Sequence, residues 1–283
     1  MKAEQITEPV AHHGEGAVWF DGWGGLRFVD MLAGDVLSLD TATGRVSRHG
    51  VGSPVAALVR PRRSGGCVIA TERGFRLEDA DGSVTELPPL WEGSERRLNE
   101  GGCDPAGGLY CGSMAYDRRP GGADLYRLDP GGRVEHVLSG VTISNGIGFS
   151  PDGATMYYVD SPTRRVDAFD VDGARIAGRR PFVHVADGAG GPDGLWVDEQ
   201  GGVWVALYGG SAVHRYDPAG RLDEVVELPV TKVTSCTFGG ADRSTLYVTT
   251  SREGLPAGEQ PSAGAIFAAE VGIRGTPVLP FAG

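Results

Sequence analysis

Short apolar runs, broken by tight polar turns, follow one another along the chain and recur as a longer unit. In each unit an apolar strand meets a tight turn, a second strand rich in aromatic residues follows, and a third ends in an Asp-rich turn. Ile147–Ile176 is the clearest copy: IGFS, PDG, ATMYYVDS, RRVDAFD, VDG, ARI. Leu195–Leu228 repeats it as LWVD, EQG, GVWVALYGG, AVHRYD, PAG, RLDEVVEL. Fainter copies lie over Gly25–Val46, Gly66–Leu87, Gly108–Val137 and Ser244–Val271. The second strands are predicted to begin near Leu26, Cys67, Leu109, Met156, Val203 and Leu246. Six units with a period of roughly 40–47 residues match four-stranded propeller blades. A β-sandwich has hairpins at similar spacing but no reason for the longer period. The pattern therefore predicts an all-β, six-bladed β-propeller with four-stranded blades, its ring closed by N- and C-terminal segments. No helical periodicity of useful length and no Pro/Ser-rich linker interrupts it, so residues 1–283 read as one domain.

Composition agrees. The chain has 283 residues, 40% of them hydrophobic, and its 46 glycines are spread throughout, as many tight turns require. The net charge of −11 argues against a nucleic-acid partner, which a basic face would mark. Arg60–Arg63 is the nearest basic run, and it reads as a solvated loop. No segment approaches the length of a membrane span, and the first sixteen residues hold no apolar run of signal-peptide length. Cys67, Cys103, Cys111 and Cys236 form no CxxC pair and read as reduced, mostly buried thiols. A cytoplasmic monomer is the expectation, since ring closure leaves few sheet edges.

The candidate chemistry comes from aligning the units. In five of the six, the residue 10 or 11 positions before the second strand is an oxygen donor: Glu15, Asn99, Asn145, Asp193 and Ser235. The remaining unit has only Val55, Ala56 and Ala57 there. First strands of blades line a propeller's central channel, so these positions should share one height and face the axis. Two carboxylates and an amide converging in this way repel unless a cation lies between them. An all-oxygen set of Glu15, Asn145 and Asp193 suits a hard divalent ion, Ca²⁺ first, with Zn²⁺, Mn²⁺, Mg²⁺ and Fe²⁺ as alternatives. Taken singly, Asn145-Gly146 and Asp193-Gly194 read equally as turns, and Glu15 as a loop acid.

The same residues lie in motifs that resemble the senescence-marker-protein, gluconolactonase and luciferin-regenerating-enzyme family. GEGAVW (Gly14–Trp19), RLNEGGCDPAGGLYCGSM (Arg97–Met114), SNGIGFSPDG (Ser144–Gly153) and PDGLWVDEQG (Pro192–Gly201) carry the resemblance, with FGGADRSTLYVTT and GIRGTPVLPFAG near the C-terminus. It runs from about Glu8 to the end of the chain. It implies a six-bladed propeller and assigns the metal to Glu15, Asn145 and Asp193. It assigns substrate contacts to Arg97 and Asn99. Ala17 stands where the family has Pro, and Glu100 where Asp is common. Tyr116 and Asp117 fall where sugar-lactone hydrolases often carry Glu, which makes Asp117 a further substrate-contact candidate. The segment on through Arg118, Arg119, Pro120 and Gly121 is expected to form a lid.

The implied activity is hydrolysis of a small sugar lactone, with Asp193 as general base and the metal polarising the carbonyl. Arg97 reads equally as a structural ion-pair partner. His12 and His13 are expected on the N-terminal strand that closes the ring. The other histidines fall near turns or on outer strands. GxSxG is absent, and Gly146-Ile147-Gly148 lacks the helix that a dinucleotide site needs. The same scaffold would also suit an organophosphate hydrolase, a biosynthetic lyase or cyclase, or a non-catalytic calcium-binding propeller.

Overall fold

The computed structural model describes residues 1–283. It contains six four-stranded antiparallel sheets. The first strands of the blades are Gly14–Phe20, Ala56–Pro61, Arg96–Cys103, Ser144–Phe149, Gly191–Val197 and Val233–Gly239. Each packs against the first strands of both neighbouring blades, and the circuit closes from the sixth blade back to the first. The fold is thus a six-bladed β-propeller with these strands around its axis. The second strands begin at Gly25, Cys67, Leu109, Thr155, Val203 and Thr245, within a residue of the predicted starts.

Blade six takes three strands from the C-terminal end of the chain and its outermost strand, Glu4–Gln5, from the N-terminus. Glu4 pairs with Ala268 and Gln5 with Phe267. His12 and His13 therefore do not lie on the closing strand. That strand ends before them, and His13 stands at the entry to blade one, bridged to Ser251. The C-terminal residues cross the opposite mouth of the ring. Thr276 N–H donates to Val197 O, and Phe281 N–H donates to Pro61 O.

A repeated turn fixes the joint between first and second strands. Asp198 Oδ1 accepts from the backbone N–H of Gln200 and Gly202, while Oδ2 accepts from Trp204 Nε1 and from Arg215 Nε at 2.7 Å. Asp104 does the same with Gly108 N–H and Arg127 Nε. A Cβ at Gly202 would stand 2.5 Å from the Arg215 guanidinium and one at Gly108 2.2 Å from that of Arg127, so only glycine lets the arginine close over the turn. Between blades the packing is apolar. Trp204 and Phe238, from blades five and six, meet edge to face at 5.4 Å with both side chains fully buried, a contact worth about 0.5–1.5 kcal/mol beyond its area.

All four cysteines are buried and unpaired. Burial pushes the thiols of Cys67 and Cys103 up to about 12, which leaves them unreactive. The basic run Arg60–Arg63 is a solvated loop only in part: Arg63 is exposed in a turn. Arg60 lies in the inner strand of blade two and is buried, with Nη2 donating to Glu100 Oε1 at 3.0 Å and to Gly101 O at 2.6 Å. It acts as an internal cation for a carboxylate beside the axis. No helix is long and apolar enough to cross a membrane.

Candidate functional site

Every first strand carries a register shift against its second strand, and the shifts fall on or beside the oxygen-donor positions: between Glu15 and Val18, Leu98 and Gly101, Ser144 and Ile147, and Pro192 and Leu195. A bulge sets an extra residue into one strand and re-aims its side chain. The Asn-Gly and Asp-Gly pairs are thus bulges within strands, not turns. Their glycines serve close approach. A Cβ on Gly146 would stand 2.7 Å from both Asp193 O and Leu195 N, and one on Gly194 2.7 Å from Ser235 Oγ.

Glu15, Asn145, Asp193, Arg97 and Asn99 all line one cavity of about 160 Å³ at the mouth of the channel, with His13, Met114, Arg118, Ile143, Ser161, Pro192, Tyr208 and Glu253. Asp117 does not join them. Its side chain is 60% exposed and pairs with Arg119 at 3.0 Å. In the segment expected to form a lid, only Arg118 reaches the cavity. Arg97 makes no ion pair; its Nη1 donates to Leu98 O and Asn99 Oδ1.

The amide orientations follow from the acceptors available. Ser161 Oγ donates to Pro192 O at 2.7 Å, because a carbonyl can only accept. The hydroxyl must then accept from Asn145, which places Nδ2 on that side at 2.8 Å. Asn145 Oδ1 is left on the other side, accepting from Asn99 Nδ2 at 3.0 Å and keeping one lone pair free. Asn99 Nδ2 also donates to Ser144 O, and Asn99 Oδ1 accepts from Arg97. A directional relay from Arg97 through Asn99 to Asn145 and Ser161 thereby sets the Asn145 oxygen.

The carboxylates are under-satisfied. Asp193 Oδ1 is buried without a hydrogen bond. Burial, then the charge of Glu100, holds the Asp193 carboxyl well above its ordinary range. Glu15 is raised likewise by burial and then by Asp193, with one N–H, from Gly16 at 3.3 Å, to offset it. His13 Nε2 stands 3.7 Å from Glu15 Oε1, and its Nδ1 lies 2.7 Å from Ser251 Oγ. Burial, followed by Arg97, pushes His13 down to about 3, so it is neutral and no counter-ion for Glu15.

The residues present fit a cation. Two buried carboxylates, one with an orphaned oxygen, and an oriented amide oxygen share a cavity in which no cation bonds to either carboxylate. No three His, Cys, Asp or Glu side chains make up a metal cluster by themselves, so the set depends on the Asn145 amide. Sequence reasoning missed His13, Tyr208 and Glu253 as lining residues. Arg118, expected in the lid, reaches the mouth from a left-handed turn at φ 55°.

The other mouth has a larger cavity of about 330 Å³ under Thr276–Leu279, lined mainly by apolar side chains such as Ile147, Phe149 and Leu195. Its charged groups are Arg60, already bonded, and Glu199. The unpartnered carboxylate and the oriented amides gather at the first mouth.

These features define a class: a six-bladed propeller with an acid- and amide-lined axial cavity. The family model described as the SMP-30/Gluconolactonase/LRE-like region matches residues 13–252. The chain belongs to that family. It is 38% identical to regucalcin of Bos taurus, with 100% of this chain and 99% of the relative aligned. The crystal structure of a calcium-binding protein, regucalcin, from Agrobacterium tumefaciens superposes with a TM-score of 0.91 at 28% identity, covering 99% of this chain and 97% of that one. A luciferin-regenerating enzyme superposes with a TM-score of 0.88 at 27% identity, covering 97% and 98%.

Proposed function

We propose that the chain is a metal-dependent hydrolase that opens a small sugar-type lactone to its hydroxy acid. One observation carries the reading: Glu15 and Asp193 are buried carboxylates on one cavity, and Asp193 Oδ1 has no partner there. Membership of a family that includes gluconolactonases supports it. Glu15, Asn145 and Asp193 would hold the ion, and Ca²⁺ best suits an all-oxygen set. When bound, a divalent cation supplies Lewis acidity toward a carbonyl oxygen.

The remaining work falls to the chain's own residues. Asp193, on the cavity wall, would accept a proton from the attacking water. Nε and Nη2 of Arg97, which make no hydrogen bond to the protein, donate to substrate oxygens. Asn99 Oδ1 offers its second lone pair. Met114, Ile143 and Pro192 restrict bulk water. The water oxygen bonds to the carbonyl carbon, the ring C–O bond breaks, and the ring oxygen leaves as a hydroxyl. One water is consumed, and the acid formed releases its proton at neutral pH.

The test is to strip the protein with EDTA, restore Ca²⁺, Mg²⁺, Mn²⁺, Zn²⁺ or Fe²⁺ singly, and follow acid release from sugar γ- and δ-lactones. Turnover should depend on the ion and vanish in Asp193→Ala while circular dichroism stays native. Acid release no faster than background with every ion would overturn the reading.

A further inference from the structure

We infer that the preferred lactone carries a carboxylate remote from its ring carbonyl, and that Arg118, together with Arg97, recognises it. The inference rests on the lactonase reading of the same cavity.

Arg97 is buried, and only its Nη1 is bonded to protein. Arg118 lines the same cavity from the blade-three side of the mouth. Its nearest acid is Glu253, on the opposite blade, with Nη2 to Oε1 at 3.9 Å. That separation is too long for a hydrogen bond, so the Arg118 fork is unsaturated. Its side chain is 62% exposed and free to turn toward a ligand.

Asp117, where an acid could have read sugar hydroxyls, is turned away and held by Arg119 through Oδ1 and Oδ2. Tyr116 donates its hydroxyl to Glu72 at 2.7 Å, which occupies that carboxylate too. Three carboxylates line the cavity, Glu15, Asp193 and Glu253, against the guanidinium groups of Arg97 and Arg118. A divalent ion on Glu15 and Asp193 would bring these five side chains to one net positive charge. A neutral polyol leaves that charge and both forks unmatched. A carboxylate neutralises the charge and meets the guanidinium geometry in bidentate fashion. The products of such a lactone are dicarboxylates.

The test compares matched substrates: the lactone of a hexonic acid, which is neutral, and that of the corresponding hexaric acid, with a carboxylate at the far end. The wild-type protein should favour the hexaric lactone in kcat/KM. Arg118→Gln should reduce the hexaric-to-hexonic ratio about tenfold, the scale of one charged hydrogen bond at a partly exposed site. Added salt should narrow the ratio in the wild type more than in the variant. A wild-type preference for the neutral lactone, or a ratio unchanged in Arg118→Gln, would overturn the inference while leaving lactonase activity in place. If neither lactone turns over, the lactonase reading fails, and titration calorimetry decides the anion question. At buffered free Ca²⁺, tighter binding of hexarate than hexonate, lost in Arg118→Gln, supports it, and equal binding overturns it.

Discussion

Replacing Gly146 by alanine tests how the fold makes the site. Gly146 follows Asn145 in the bulge of blade four, and an added Cβ would meet Asp193 O and Leu195 N at 2.7 Å and Leu195 Cγ at 2.8 Å. Two of these three atoms are backbone, so no rotamer change relieves the contact. The inner strands of blades four and five must separate by several tenths of an ångström. Overpacking of this kind costs about 1–3 kcal/mol, a fall in Tm of roughly 2–5 °C for a chain of this size. The same displacement moves Asp193 away from Asn145, so Ca²⁺ affinity should fall as well. Gly74→Ala is the control, because its Cβ would meet nothing nearer than 3.5 Å. Differential scanning calorimetry with and without Ca²⁺ reads both effects. A Gly146→Ala protein with the wild-type Tm and the wild-type calcium response would refute the argument that glycine brings these strands together.

Chelation should lower the Tm, and restoring Ca²⁺ to a hundred times its Kd should return about 2.7 kcal/mol; an unchanged Tm after metal analysis confirms removal would count against a tight site. In EDTA, Glu15→Gln should be at least as stable as the wild type, since it removes a buried carboxylate that repels Asp193, yet calorimetry should detect no calcium binding; unfolding of the variant would assign Glu15 to structure. Asp198→Ala takes away the acceptor of Arg215 Nε, of the Trp204 indole and of two backbone N–H groups, leaving Arg215 with Asp223 and Gln200. Breaking a buried pair of this kind should cost about 3–5 kcal/mol in urea unfolding, and a loss below about 1 kcal/mol, the scale of an exposed pair, would show that the turn is redundant.

The blade repeat was legible because each unit must supply the same hairpins, and turn residues and aromatic strands recur with it. The convergence of Glu15, Asn145 and Asp193 on one cavity followed from the same alignment, since equivalent positions on inner strands share a height. What escaped the sequence depends on single side chains choosing among partners. Asp117 lies beside Arg119, which captures it locally and turns it outward. Arg60 resembles its solvated neighbours in sequence, and only the approach of Glu100 from the next blade buries it. The closing strand lies at Glu4–Gln5 and not at His12–His13, because two backbone pairings with blade six decide it and leave no strong hydrophobic signature.

The central claim is that one divalent ion sits on the axis among Glu15, Asn145 and Asp193. The direct measurement is anomalous diffraction at long wavelength from crystals grown with Ca²⁺. The account predicts a single strong peak about 2.3–2.6 Å from oxygens of all three side chains. A cavity without a peak at millimolar Ca²⁺, or a peak coordinated by other residues, would contradict it.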